Sequence, residues 1–318
     1  MRLPQRFYRL PVRFDAGRLR AEVEALPEDI WTPHPTGQPG NSAVRLITAG
    51  GGENDRLNGA MRMTPALERS PYMRQVLASF GVVWSRSRLL RLAPGAVVPP
   101  HADVHYHWFF RVRMHVPILT LPQVRFTCDG ESVHMAAGES WIFDNWRTHG
   151  VQNPTASERI HLVADTTGSS AFWDLVARGQ DANTALEFRP YHAARSDTPL
   201  TEQVPARPVM SPSELELLIF DMRSELLAEA DTPEQRVRLG RYHGLLLGFA
   251  RDWRQLYHLH GEGPVGRLAY ETLRETVRER SRTIGAGLVM RTNRSSAQKV
   301  LEARILDACL AFTQSDPS

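Results

Sequence analysis

The hydrophobic pattern changes period twice along the chain. In residues 13–27 (RFDAGRLRAEVEALP), Leu19, Val23 and Leu26 fall at helical spacing and Asp15 stands where an N-cap belongs. Residues 32–60 are rich in Pro, Gly and Asn, which predicts loops around one short strand, AVRLI; residues 71–80 read as a second helix. From Val82 the period becomes two. VVWSRSRLLRL, WFFRVRMHVPIL, VRFTC, SVHMA, ESWIF and RIHLVADT are short β-rich runs separated by turn signals. Asp129-Gly130, between VRFTC and SVHMA, is a favoured two-residue hairpin turn because both positions accept positive φ. Short strands at this spacing predict an antiparallel sandwich or jelly roll.

After a linker-like stretch, 193–212, the period is helical again. Ser211-Pro212-Ser213-Glu214 is a capping box with proline at the first helical position. Leu215, Leu218, Ile219, Met222 and Leu226 then share one face. Thr232-Pro233-Glu234-Gln235 repeats the start signal, a third helix follows Gly263-Pro264, and a fourth is expected to end near Phe312. The expected organisation is a mainly β domain over 1–195, with N-terminal helices, and a helical domain over 196–318. Leu245, Leu246, Leu247 and Phe249 read either as helical core or as a surface for a homodimer.

Composition narrows the function classes. The 318 residues are 42% apolar, enough for two domains with real cores. No apolar run approaches the ~18 residues of a membrane span. MRLPQRFYRLPVRF has no apolar signal region, so neither membrane nor secretion is expected. Cys128 and Cys309 lie far apart, which argues against a disulfide framework and suits the cytoplasm. The net charge of +3 is spread along the chain, and Lys299 is the only lysine. No basic block is interleaved with aromatics, so nucleic acid is not an expected partner.

Two strands carry charge on a regular face. Side chains alternate across a strand, so Arg111, Arg113 and His115 share one face, as do Arg159, His161 and Asp165. Such a face is either solvated, as in many antiparallel sheets, or the lining of a cavity that binds an anion. The stretch PPHADVHYHW, residues 99–108, adds the ligand chemistry. His101 and Asp103 are two apart on an extended segment, so both reach the same side. His149, after the run ESWIFD, is the candidate third ligand. Two histidines and one carboxylate leave three open positions on an octahedron, the arrangement of non-haem Fe(II) oxygenases. His105 and His107 are competing ligands, or residues of the site entrance or surface. Zinc hydrolysis is the rival chemistry, but it leaves Arg159 and the 111–115 face unexplained.

Residues 82–170 resemble the aspartyl/asparaginyl β-hydroxylase family of Fe(II)/2-oxoglutarate dioxygenases. The likeness is carried by LAPGAVVPPHAD, RVRMHVPI and HMAAGESWIFDNWRTHGVQNPTASERIHLVADT. The short N-terminal region and helical C-terminal domain also resemble the bacterial free-proline cis-hydroxylases of that family. The resemblance implies a double-stranded β-helix (a cupin-like jelly roll) that binds iron at its open end. It assigns His101, Asp103 and His149 to the metal. Arg159 and His115 then hold 2-oxoglutarate, and Arg113 contacts substrate, with Arg111 and His107 as further substrate residues. Where the animal enzymes have a serine beside the cosubstrate, this chain has Leu90. The animal enzymes also have glycine at Asp103.

The implied reaction consumes O2 and 2-oxoglutarate, releases succinate and CO2, and hydroxylates an unactivated carbon of an amino acid or peptide residue. An aspartyl or asparaginyl side chain is the first expectation. Free or carrier-bound proline is the second. A catalytically silent 2-oxoglutarate and metal sensor is the reading from another class. Trp108, Phe109, Phe110, Trp141 and Trp146 read as core or rim aromatics that help keep the site dry.

Overall fold

The computed structural model describes residues 1–311 apart from Thr36, Ala182 and 204–206. Phe312, the expected end of the last helix, lies outside the described residues. Two compact units divide the chain. The first comprises Met1–His101 and Phe110–Pro205, the second Ala102–Phe109 and Ala206–Ser318. Residues 196–203 thus group with the first unit, and the short segment 102–109 groups with the second.

The first unit is built on eleven principal strands: β1 (Phe7–Leu10), β2 (Val12–Phe14), β3 (Asn41–Ala49), β4 (Val83–Leu92), β5 (Val97–His101), β6 (Val112–Leu119), β7 (Arg125–Cys128), β8 (Glu131–Val133), β9 (Ser140–Phe143), β10 (His149–Gln152) and β11 (Arg159–Thr166). The main sheet runs β1-β9-β6-β11-β4-β3, and a smaller sheet runs β8-β7-β10-β5. The neighbours along both orders are antiparallel. Two such sheets, with Greek-key-like strand order, make a jelly roll.

Three helices of this unit, α1 (Ala16–Glu24), α2 (Pro71–Ala78) and α3 (Ser170–Arg178), cover one face of the main sheet. Asp15 caps α1 by accepting from the Arg18 N–H at 3.0 Å. Leu19 and Val23 of α1, Met73 and Val76 of α2, and Phe172 and Leu175 of α3 pack with Val112, Met114, Val116, Ile160 and Leu162. The opposite face of the sheet carries the polar residues of β6 and β11. It is not solvated: every residue of β11 is buried. The solvated-face reading therefore fails, because helices cover the apolar side and the barrel interior covers the other.

The Asp129-Gly130 hairpin forms as read, with φ of 48° and 80°, and joins β7 to β8. Three local expectations change. The run from Trp108 does not extend as a strand until Val112, because Tyr106–Trp108 is a 3-10 turn whose N-cap, His105 Nδ1, accepts from the His107 N–H. The strand AVRLI is longer, Asn41–Ala49, since β4 pairs along most of it. Four further principal strands, β1, β2, β5 and β10, form where the sequence reading placed none.

In the second unit, α4 (Pro212–Glu225), α5 (Pro233–His260) and α6 (Arg267–Ile284) precede a short helix, α7 (Ala297–Leu301). Ser211 and Thr232 cap the first two through the Glu214 and Gln235 N–H groups. The α4 face of Leu215, Leu218, Ile219 and Met222 is buried, as are Leu245, Leu246 and Phe249 of α5. Leu247 is exposed. Among the described residues, no helix is long and apolar enough to cross a membrane.

Candidate active site

The metal constellation assembles on the smaller sheet. His101 ends β5, His149 opens β10, and the two residues are direct register partners. Their ring centroids are 4.3 Å apart. Asp103 follows His101 by two residues, and ligand atoms of all three lie within 4.8 Å of one another. That is close to the ~4 Å spanned by two ligands on opposite sides of one ion. His105 and His107 are not part of this cluster.

Local sequence prepares the two imidazoles. The His101 Nδ1 lies 2.8 Å from the Pro99 carbonyl, and the His149 Nδ1 lies 2.9 Å from the Arg147 carbonyl. A carbonyl only accepts, so each Nδ1 carries the proton and each Nε2 presents its lone pair. Pro99 and Pro100 are tolerated because β5 is a sheet edge and the register shifts there, between His149 and Val151. The shift presses β10 close: a Cβ on Gly150 would meet the Val98 carbonyl at 2.9 Å. Glycine beside His149 is thus a packing requirement.

Phenylalanines link this centre to the main sheet. His149 stacks on Phe126 and meets Phe143 edge-on, with centroids at 6.2 and 4.8 Å. His115 of β6 packs edge-on against the same two rings, each at 5.5 Å. Beyond His115 lie His161 and Arg159 of β11. The Arg159 guanidinium donates to His161 Nδ1 at 2.8 Å, and His115 Nδ1 lies 3.3 Å from that same nitrogen. Since Arg159 only donates, His161 Nδ1 is the acceptor and its proton sits on Nε2. His115 then donates through Nδ1 and keeps a lone pair on Nε2. Both Nε2 atoms, and the Arg159 Nε, are buried without a partner.

The electrostatics single out Arg159. It is 4% exposed, and desolvation alone pulls it down to about 9. No carboxylate among the described residues forms an ion pair with it. A buried cation without a counter-charge is costly, which marks a place built for an anion. Burial, reinforced by the Arg159 charge, holds both His115 and His161 well below the usual imidazole range. Both are therefore neutral near pH 7, one offering a donor and the other an acceptor.

The remaining expected site residues are engaged. Arg113 donates to Asp165 at 2.9 Å, and Arg86 donates to the same carboxylate at 3.1 Å. Arg111 makes a two-pronged pair with Glu202, both contacts at 2.9 Å. His107 is 1% exposed within its 3-10 turn, so it is not a surface residue. Trp108 and Trp146 are buried, while Phe109, Phe110 and Trp141 are half-buried. Leu90 of β4 is the register partner of His161. The polar group at this level of the sheet is therefore an imidazole from the neighbouring strand. His161 was legible only as a member of a polar face. Its signal was the Arg-x-His alternation, which did not by itself distinguish a ligand from a spectator.

A jelly roll with a His-x-Asp…His set facing a buried arginine defines the class of protein: a Fe(II)/2-oxoglutarate-dependent dioxygenase. Residues 17–168, a little under half of the chain, match the sequence model of the aspartyl/asparaginyl β-hydroxylases. Among solved structures it is similar to a 2OG-Fe(II) oxygenase family oxidoreductase from Burkholderia pseudomallei. The identity is 14% over 49% of this chain and 80% of that one, with a TM-score of 0.33. It is also similar to a prolyl-4-hydroxylase from Pseudomonas putida, at 15% identity over 52% and 95% of the two chains, TM-score 0.35. A cupin domain from Bordetella pertussis aligns at 20% identity over 26% and 79%, TM-score 0.21. No curated protein matches the chain in sequence.

The donor set fits the cofactors of this class. Two neutral imidazoles and one carboxylate suit Fe(II), and the unpartnered Arg159 Nε and His161 Nε2 suit the distal carboxylate of 2-oxoglutarate.

Proposed function

We propose that the protein hydroxylates an unactivated carbon of an amino acid or of an amino-acid residue in a peptide, with an aspartyl or asparaginyl side chain first. The reading rests on one observation above the others: Arg159, on the main sheet, is buried without a carboxylate among the described residues, while His101 and His149 of the ligand set stand on the smaller sheet. Fe(II) bound by these three residues supplies the activation of O2. The chain's own residues bind and orient. Arg159 pairs with the distal carboxylate of 2-oxoglutarate, His161 donates to it through Nε2, and His115 positions His161 by donating from its Nδ1 to the His161 Nδ1. Phe126 and Phe143 shield the space between. On this reading the substrate sits on the Arg113 side of His115, with Arg111 and His107 as outer contacts. Arg111, already gripped by Glu202, has the weaker claim. Proline, free or carrier-bound, is the alternative substrate; the Asp103 position supports it. Cytoplasmic location and a homodimer through the helical unit complete the proposal.

The test is anaerobic. Metal-free protein is loaded with Fe(II), 2-oxoglutarate is added, and the weak visible charge-transfer band of a chelated 2-oxo acid is sought. A band in the wild type that weakens in Asp103→Ala and His149→Ala is the expected result. Folded, iron-binding protein without a band would overturn the reading.

A further inference from the structure

The inner face of the main sheet carries a second basic centre. Arg45 of β3, Arg88 of β4 and Asp55 form one ion-pair group; Arg86, Arg113 and Asp165 form another. The two lie side by side on one face: Arg45 and Arg88 are register partners, and Arg88 is level with Val163 of β11, two residues before Asp165. Val163 is also the register partner of His115, whose ring packs on Phe126 and Phe143 as the His149 ring does. The basic group therefore continues the line from the metal histidines through His115. Arg159 lies the other way along β11, six residues from Asp165, or ~20 Å of strand.

The two aspartates differ in kind. Asp165 is part of a central strand and its side chain is 1% exposed. It is frame. Asp55 comes from the segment between Ala49 and Met61, and its side chain is 32% exposed. Yet it is held as a ligand carboxylate would be. The Arg45 Nε and Nη2 donate to its two oxygens at 3.1 and 2.7 Å, and the Arg88 Nη2 donates to one of the same oxygens. Arg88 itself is 5% exposed and, among the described residues, takes no other ion-pair partner. The Asp55 segment is tied back to its own base: Gly50 N–H donates to the Ala60 carbonyl, Thr48 Oγ1 to the Gly52 carbonyl, and Asn54 Nδ2 to the Ala49 carbonyl at 2.9 Å. Gly51, at φ 76°, lies against the Met63 carbonyl and admits no side chain. The hinge is fixed, and the carboxylate reaches inward from it to a fork of two arginines.

We propose that Arg45 and Arg88 are the binding site for a carboxylate of the hydroxylated substrate, and that Asp55 occupies this site until substrate displaces it. The proposal rests on the hydroxylase reading for the word substrate, but not for the site. A planar carboxylate is favoured over a phosphate because the Arg45 fork already engages two coplanar oxygens. An internal carboxylate also explains how a buried Arg88 is tolerated in the free protein, since removing the partner of a buried ion is costly. The exchange substitutes one carboxylate for another, so buried charge stays balanced, and an uncharged competitor is rejected.

The experiment uses N-acetyl-L-aspartate and inorganic phosphate as probes, with affinity read by calorimetry. It is run on the full chain, both unloaded and loaded anaerobically with Fe(II) and 2-oxoglutarate. Asp55→Asn keeps the shape and removes the resident charge. It should bind N-acetyl-L-aspartate about tenfold tighter than wild type, because the site no longer has to be opened. Asp55→Glu should bind like wild type. Adding Arg88→Met to Asp55→Asn should abolish the gain. Unchanged affinity in Asp55→Asn overturns displacement, and an equal gain for phosphate overturns the carboxylate assignment. A measurement on wild type covers a variant that fails to fold. Amide exchange in residues 50–60 should quicken when N-acetyl-L-aspartate is added; unaltered exchange at saturation overturns the proposal. Failure here with an intact charge-transfer band leaves the hydroxylase reading standing. A carboxylate response without a band does the reverse.

Discussion

Two buried arginines, one in each unit, have opposite surroundings. Arg304 of the helical unit is 2% exposed and is fully accommodated. It donates to Asp221 at 3.2 Å and to the Val104 carbonyl at 3.2 Å, and lies 5.5 Å over the Phe109 ring. Arg159 of the jelly roll is equally buried but meets only an imidazole. The first arginine is a staple: its charge is answered by its own fold. On the proposed reading, the second leaves its answer to a ligand. Burial of a cation is thus uninformative until its counter-charge is found. The same test ranks Arg88, whose counter-charge is present but comes from a half-exposed loop carboxylate.

The contrast is open to breaking. The largest effect is expected from Arg159→Leu. It should weaken 2-oxoglutarate binding by about a hundredfold or more, the scale of a lost charge-assisted pair, read from titration of the charge-transfer band. Its folding stability should hold or rise, because an unanswered buried charge is removed. Arg304→Leu should do the opposite. It takes the buried cationic partner from Asp221 and costs roughly 3–5 kcal/mol in urea unfolding. Equal stability losses in the two variants would erase the distinction drawn between them.

A smaller effect sharpens the view of the metal side. Gly150→Ala should push β10 from β5, costing about 1–3 kcal/mol and lowering iron affinity, measured by dialysis against a chelator. Retained affinity would mean that the close approach at Gly150 is not what sets the His101–His149 spacing.

A pH experiment probes the basic centre. Burial, then the charges of Arg88, Arg113 and Arg86, pushes His34 down to about 4. The unfolded imidazole titrates near 6.5. Between these values the unfolded chain binds the extra proton, so stability falls as pH drops from about 6.5 to 4 and is fully present above. His34→Gln should flatten that part of the denaturation profile; an unchanged slope would move His34 out of the arginine field. The smallest effect is expected at Asp15, whose replacement by alanine removes the α1 cap for about 1 kcal/mol.

Much of this was legible because it is local. Alternation in RIHLVADT and RVRMHVPI, the Asp129-Gly130 turn, the capping box at Ser211 and the His101-x-Asp103 spacing all depend on neighbours in sequence. So did the choice of His149, which needs only a strand and a turn before it. What failed was also local, but masked. FYRL and VRF alternate, yet each is too short to announce a strand without its partner; Phe7 becomes one only opposite Phe143. The 3-10 turn at Tyr106–Trp108 depends on one histidine cap hidden in a run that looks extended.

The sequence by itself determined the strand and helix periods, the ligand types and their order along the chain, because each is set by side-chain chemistry and spacing. Tertiary structure decided which charges are answered. Asp165 reaches Arg113 across 52 residues, Glu202 reaches Arg111 across 91, and Asp55 reaches Arg88 across 33. Pairing of this kind comes from sheet register and loop closure, which bring distant residues together in three dimensions. Only that closure shows that, among the described residues, Arg159 is the arginine of the polar face left without a carboxylate.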